Sequence, residues 1–309
     1  MHSNSTGFSG LIAAPFTPLR ENGDLNLAMI EPLADRLVRD GVSGAFVCGT
    51  TGESLSLTVD ERMAVAETWR RVAGGRLKVI VHVGHPCQRD AAALARHAAG
   101  IGADAVAAMG PSFFRPAGVS DLVDWCAGVA AAAPELPFYY YHIPSMTGLA
   151  FSMADFLEAA KERIPNLVGI KFTGENLMDF AACLGADGGR YNMLFGRDEM
   201  LLSALATGAH GAVGSTYNFA APIYHEVIRA FQAGDMAAAR AAQDKSVQLV
   251  RTFQPYGGLA AQKAIMKWMG IDCGPVRPPL ADLSEEAQRE LRRKIEALGI
   301  LTFDPSPVG

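Results

Sequence analysis

Leu167-Val-Gly-Ile-Lys-Phe172 is an apolar run with a single charge near its end. A strand covered on both faces reads as a continuous hydrophobic stretch, as strands of a parallel sheet do, and LVGIKF has that character. Upstream of it, Ser152 is placed to cap a helix over Ala154–Arg163, and before that helix Pro137–Ile143 (PFYYYHI) reads as another strand. Strand, helix and strand in this order predict a parallel crossover unit. Downstream, Met193–Phe195 begins a short strand, a helix runs from Glu199 to about Ala206, and Gly211–Gly214 (GAVG) is a further strand.

The same rhythm extends back to the N-terminus. Strands are predicted at Gly10–Pro18 (GLIAAPFTP), Gly44–Cys48 (GAFVC), Lys78–Gly84 (KVIVHVG) and Ala105–Met109. Between the first two, Ile30, Leu33, Leu37 and Val38 share one helical face, ending near Gly41. Thr58-Val-Asp-Glu61 has the spacing of a capping box, and the helix it opens stops at Gly74-Gly75. Alanine-rich helix covers Asp90–Ala99. Eight strand–helix units in roughly 220 residues predict a closed (β/α)8 TIM barrel. A doubly wound open sheet is the alternative, but it needs fewer strands and usually a Gly-rich phosphate turn, and no GxGxxG or P-loop is present. Past Pro222 the strand signals end. Pro222–Phe231, Met236–Phe253, Leu259–Met269 and Glu285–Leu298 read as helices, with a Pro-rich loop at Gly274–Pro279. The expected organisation is a barrel over 1–221 and C-terminal helices over 222–309 packed on it as the same structural unit, ending in a frayed DPSPVG.

Composition narrows the function. The chain has 309 residues and a net charge of −5 spread without runs. No basic stripe invites nucleic acid or an anionic membrane surface. Met1–Phe16 has no basic lead and is interrupted by Pro15, so it does not read as a signal peptide, and no window has the length of a membrane span. Five scattered cysteines without a CxxC pair read as free thiols in a reducing, cytoplasmic compartment. Cys48 lies in the apolar part of its strand and reads as core.

In a barrel, chemistry gathers at the C-terminal strand ends. These carry Thr50-Thr51-Gly52-Glu53, Tyr139–His142, Lys171-Phe172-Thr173, Gly196–Glu199 and Gly214–Asn218. A lysine inside a buried strand is pushed toward its neutral, nucleophilic form, although a strand-end lysine can equally snorkel to water. Tyr139 and Tyr141 share one face and Tyr140 takes the other. A phenol there could relay protons or simply pack. The Thr50–Glu53 turn suits a carboxylate held by hydroxyls and backbone N–H groups, or is an ordinary loop. Asp198 and Glu199 stand where they could cap a helix. His82 and His85, three apart, face opposite ways if both are on a strand. Without HExxH, HxH or zinc spacing, they read as structural or supporting histidines, and no metal or organic cofactor is expected.

GTTGE after strand two, YHIP after strand five, GIKFT at strand six and GSTYN after strand eight resemble, in order and spacing, the N-acetylneuraminate lyase / dihydrodipicolinate synthase superfamily over essentially the whole chain. FYYYHIP, the Leu194–Leu205 stretch and GAVGSTYN are similar to its lyase branch. That branch reversibly cleaves N-acetylneuraminate to pyruvate and N-acetylmannosamine without metal or organic cofactor. The resemblance implies that Lys171 forms a Schiff base and Tyr141 moves the proton. It implies that Thr50 and Thr51 hold the keto acid's carboxylate, and that Thr173, Gly196, Asp198, Glu199 and Ser215 bind the rest of the sugar. It also suggests a homotetramer. The synthases place an arginine where this chain has Met146, and a tyrosine of a neighbouring subunit where it has the Phe113 stretch. Both departures point away from the synthase reaction. Arg197 and His142 are departures that could tune the preferred sugar acid. A pyruvate-dependent aldolase or dehydratase acting on a 2-keto-3-deoxy sugar acid is the alternative reading, and a catalytically silent keto-acid sensor a third.

Overall fold

The computed structural model describes residues 7–303. Eight parallel strands close in chain order, with the last pairing back to the first: β1 Gly10–Ala13, β2 Gly44–Val47, β3 Lys78–His82, β4 Ala105–Ala108, β5 Phe138–His142, β6 Leu167–Phe172, β7 Asn192–Phe195 and β8 Gly211–Gly214. This is the (β/α)8 barrel the alternation predicts, and closure rules out the open doubly wound sheet. Several strands stop short of their predicted ends, because the residues past the ladder belong to the loops at the mouth.

Local signals operate as chemistry requires. Thr58 Oγ1 accepts the Glu61 N–H, and the Glu61 carboxylate accepts the Thr58 N–H at 2.8 Å, completing the capping box of helix Val59–Ala73. Ser152 caps helix Met153–Ala160 through the Asp155 N–H. Two crossover helices, Val119–Ala130 and Leu177–Gly185, had no clear sequence signal. The first opens on Gly118 with no side-chain cap, and the second spans only nine residues.

The side chains sort into two layers. Ile12, Phe46, Ile80, Tyr139, Tyr141, Leu194 and Val213 fill the barrel interior. Tyr140, Ile170 and Phe172 face outward, into the layer between strands and helices. The alternation of the three tyrosines therefore falls as the period of two predicts. One irregularity interrupts the β5–β6 ladder. Phe138 pairs with Leu167, but Tyr139 pairs with Gly169, so Val168 is an extra residue on β6. A Cβ at Gly169 would overlap the Asn192 carbonyl, which is why only glycine fits beside β7 there.

Helices Ala221–Gln232, Met236–Phe253, Leu259–Trp268 and Glu285–Leu298 follow the barrel. Their buried residues, among them Leu249, Ile265, Met266, Leu291 and Ile295, belong to the same hydrophobic cluster as the barrel's outer face. The DPSPVG end, expected to fray, lies outside the described residues. No described helix is long and apolar enough to cross a membrane.

Candidate active site

The C-terminal strand ends converge on a cavity of about 250 Å³. Its wall includes Thr50, Thr51, Tyr141, Lys171, Thr173, Gly196, Asp198, Glu199 and Ser215, so the nine residues to which the resemblance gives a catalytic or binding role meet at one place. The barrel register explains the central pair: Tyr141 on β5 and Lys171 on β6 are direct ladder partners, and both point inward.

Lys171 does not snorkel. It is 3% exposed, and its Nζ lies 3.8 Å from the Phe46 ring centroid and 4.0 Å from that of Tyr141. Among the described residues it makes no hydrogen bond or ion pair. Burial brings its pKa down to about 7, against a smaller opposing pull from Asp198. The Tyr141 phenol stands 3.1 Å from Thr50 Oγ1, and burial pushes it up to about 12 despite that hydroxyl. Beneath it, His82 packs edge-on at 5.6 Å, with its Nδ1 2.9 Å from the Cys48 carbonyl. Buried Arg62 donates to the Gly84 and His82 carbonyls, which ties this floor together.

Asp198 is not a helix cap. Helix Leu201–Thr207 begins at Met200 without a side-chain cap, and Asp198 is instead buried in the wall. Its Oδ2 accepts the Thr216 N–H at 2.9 Å and sits 2.6 Å from Thr216 Oγ1. Burial raises its pKa to about 6, while the Thr216 bonds draw it back. Two glycines make the wall possible: a Cβ at Gly214 would overlap the Asp198 carboxylate, and one at Gly196 would overlap the Thr173 hydroxyl. Among the described residues, the Thr173 hydroxyl and Arg197 Nε are buried without a partner, two polar positions that a hydroxylated ligand can satisfy. Arg197 is held by Glu175 at 2.8 Å and lies 3.8 Å from Glu199.

Other sequence-marked residues fall elsewhere. His142 is on the outer face, packed at a tilt against Phe172 with ring centroids 4.8 Å apart, and does not line the cavity. Met146 borders an adjoining hollow of about 520 Å³ that shares Thr50, Thr51 and Ser215 with the first. Phe113 is 81% exposed. His85 lies beyond the end of β3, so strand parity does not govern it.

The helical segment also enters the site, which its sequence did not reveal. Val250, Phe253, Gln254, Gly258 and Gln262 line the same cavity. Next to Gln262, Lys263 Nζ reaches Glu53 Oε1 at 2.6 Å, the two side chains being 3% and 1% exposed, and also donates to the Thr17 and Pro275 carbonyls. The other Glu53 oxygen accepts the Arg277 N–H, and the Arg277 side chain grips Glu61, whose carboxyl falls to about 2 through that bond. The Thr50–Glu53 turn is thus anchored by residues more than 200 positions away. The one available clue was a polar Gln262-Lys263 pair flanked on both sides by apolar residues of helix Leu259–Trp268.

A model of the dihydrodipicolinate synthetase family matches residues 7–298. The N-acetylneuraminate lyase A of Xenopus laevis is 46% identical over 275 residues, 88% of this chain and 90% of that one. The N-acetylneuraminate lyase of Rattus norvegicus is 42% identical over 299 residues, 95% and 93% of the two chains. Among solved structures, the Proteus mirabilis N-acetylneuraminate lyase superposes with a TM-score of 0.93 at 44% identity, covering 96% of this chain and all of that one.

Proposed function

This chain belongs to the dihydrodipicolinate synthetase family, and from that premise we propose that it is a class I aldolase that reversibly cleaves N-acetylneuraminate to pyruvate and N-acetylmannosamine. One observation carries the chemistry: a buried lysine amine without an ionic partner, brought down to about 7, faces a phenol across one rung of the barrel. The relatives named above supply the substrate.

Lys171 Nζ attacks the C2 carbonyl of the open-chain sugar acid, while Thr50 and Thr51 hold its carboxylate so that carbonyl and amine meet in line. The resulting hydroxyl leaves as water with the Tyr141 proton, giving an iminium ion beside a phenolate. That cation supports the phenolate, which a phenol near 12 could not otherwise sustain at neutral pH. The phenolate takes the C4 hydroxyl proton, relayed by the substrate carboxylate. The C3–C4 bond breaks, and its electron pair passes into the imine to leave an enamine. Protonation at C3 and hydrolysis release pyruvate and restore the amine. Thr173, Gly196, Asp198, Glu199 and Ser215 hold the hydroxylated tail.

Incubation with pyruvate and borohydride should add a stable mass to Lys171. Absence of the adduct, with turnover surviving K171A, would reject the Schiff base. A substrate panel tests the sugar. Strong preference for a 2-keto-3-deoxy hexonate would replace the sialic acid assignment while keeping the mechanism, and absence of turnover on any sugar acid would leave a keto-acid sensor. The same reading takes 1–221 and 222–309 as one structural unit and the working form as a cytoplasmic homotetramer. Free thiols at all five cysteines agree with that compartment, and light scattering tests the assembly.

A further inference from the structure

On the reading of Thr50 and Thr51 as the carboxylate grip, we propose that His82 is their positioning residue: its imidazole holds the first carbonyl past β2 and so sets the turn that carries both hydroxyls. The β2–β3 ladder ends at Val47 opposite Val81. The next carbonyl, that of Cys48, is taken by a side chain instead: His82 Nδ1 stands 2.9 Å from it. A carbonyl oxygen only accepts, so Nδ1 carries a proton and donates it. Arg62 Nη2, 3.4 Å from the same nitrogen, is then a neighbouring donor and no partner; it gives its hydrogen bond to the His82 carbonyl at 2.6 Å. Burial and the Arg62 charge push the His82 pKa well below the usual imidazole range, so the ring is neutral and Nε2 bears no proton. Nε2 is buried without a partner among the described residues, which leaves the Cys48 carbonyl as the ring's one hydrogen bond there.

The bend that this bond holds is a constrained one. Cys48 lies at φ 57°, in the left-handed region that a residue other than glycine occupies only where its surroundings impose it. Its thiol lies 3.7 Å from the Arg62 carbonyl, and the Arg62 guanidinium returns to the His82 and Gly84 carbonyls. The ends of β2 and β3 and helix Val59–Ala73 thus fix one residue between them. From there the chain runs two residues to Thr50, whose hydroxyl stands 3.1 Å from the Tyr141 phenol. The His82 ring is also edge-on to Tyr141 at 5.6 Å and tilted against Phe46 at 6.0 Å, and these are the two rings that face the Lys171 amine. His82 does not itself line the cavity, so it acts on the keto acid through these neighbours.

Borohydride trapping on the full chain with two ketones separates aim from folding. Pyruvate carries a carboxylate and propanone does not, and either can form an imine with a lysine amine. The parent chain should trap pyruvate at a far lower concentration than propanone. H82F keeps a ring and removes the donor. It should raise the half-trapping concentration of pyruvate by about 10- to 100-fold, on the scale set by a misplacement of about 1 Å, and leave that of propanone unchanged. H82N puts an amide N–H where Nδ1 was. It should keep the preference for pyruvate while turnover falls, because Tyr141 loses its edge contact. An undiminished preference in H82F, or equal loss of it in H82F and H82N, would overturn the proposal and leave the carboxylate grip standing. A parent chain that does not distinguish the two ketones would remove the grip and the proposal together. Should H82F fail to fold, nitrogen-15 NMR of the parent chain decides. The His82 ring should carry its proton on Nδ1 at neutral pH, and an Nε2–H tautomer would overturn the role.

Discussion

Two buried lysines lie at the two ends of this chain's architecture, and they behave as opposites. Lys171, inside the barrel, and Lys263, on the helix Leu259–Trp268 behind it, are each 3% exposed. Lys263 meets a carboxylate and two carbonyls, so its charge is fully solvated by protein. Lys171 meets two aromatic faces and no acid. The aromatic faces attract a cation weakly compared with what water supplied. Burial alone therefore does not make a nucleophile. Burial without a counter-charge does, and the paired lysine is spent on holding the turn against which the unpaired one works.

The sharpest way to break this contrast is to remove both amines and compare. K171M should lower pyruvate release by at least about 10⁴-fold, as loss of a covalent nucleophile does elsewhere. K263M should bind and trap pyruvate wherever it remains folded. Y141F should lose about 10²–10⁴-fold in turnover and still yield the borohydride adduct with pyruvate, because the phenol is needed for bond cleavage more than for capture. Similar losses of adduct and turnover would count against that division of labour.

Stability should separate the lysines by sign. K263M leaves the Glu53 carboxylate buried without its cation, held by the Arg277 N–H, a change worth about 3–5 kcal/mol of destabilisation. K171M replaces an unpaired buried amine with an apolar chain, and replacements of that kind range up to about 1–4 kcal/mol of gain. Urea denaturation reads both, and two losses of equal size would erase the distinction. The K171M difference should also depend on pH. Lys171 binds its proton less readily folded than unfolded, so the unfolded chain holds more protons between about 7 and 10.5. The parent protein then gains on K171M as pH climbs through that window, and its deficit is fullest below it.

The smallest effect is the acid limb of the rate profile. With Lys171 near 7 and Asp198 near 6, kcat/KM should fall as pH drops through 7 toward 6, first by protonation of the amine and then of the carboxylate. A flat profile down to pH 5 would contradict the assignment of Lys171 as the attacking group.

The barrel and its mouth were legible in the sequence because both are written in short-range order. Short continuous apolar runs between amphipathic stretches marked the strands, and the residues after each run became the loops of one rim. The Lys171–Tyr141 pair could be anticipated because a closed barrel brings successive strand ends together. Contacts of long sequence separation were not legible. Nothing local to Glu53 announces Lys263, and nothing about Thr216 announces that it would claim Asp198 from the helix start. His142 was misplaced for a different reason: in YYYH it shares the face of Tyr140, and the alternation that correctly sorted the tyrosines also sends the histidine outward.

The extra residue on β6 shows how narrowly the chemistry is set. Side chains on a strand are read in twos, and Val168 changes the phase between Leu167 and Lys171. If Val168 were instead drawn into a regular ladder opposite Tyr139, Lys171 would pair with His142 and turn its amine toward the helices, and Ile170 would occupy the place opposite Tyr141. The sequence would be the same and the strand would keep its apolar character, yet the nucleophile would be out of frame. The bulge is thus a frameshift in three dimensions, placed three residues ahead of the reacting amine, and it is the slip that brings Lys171 into frame with Tyr141.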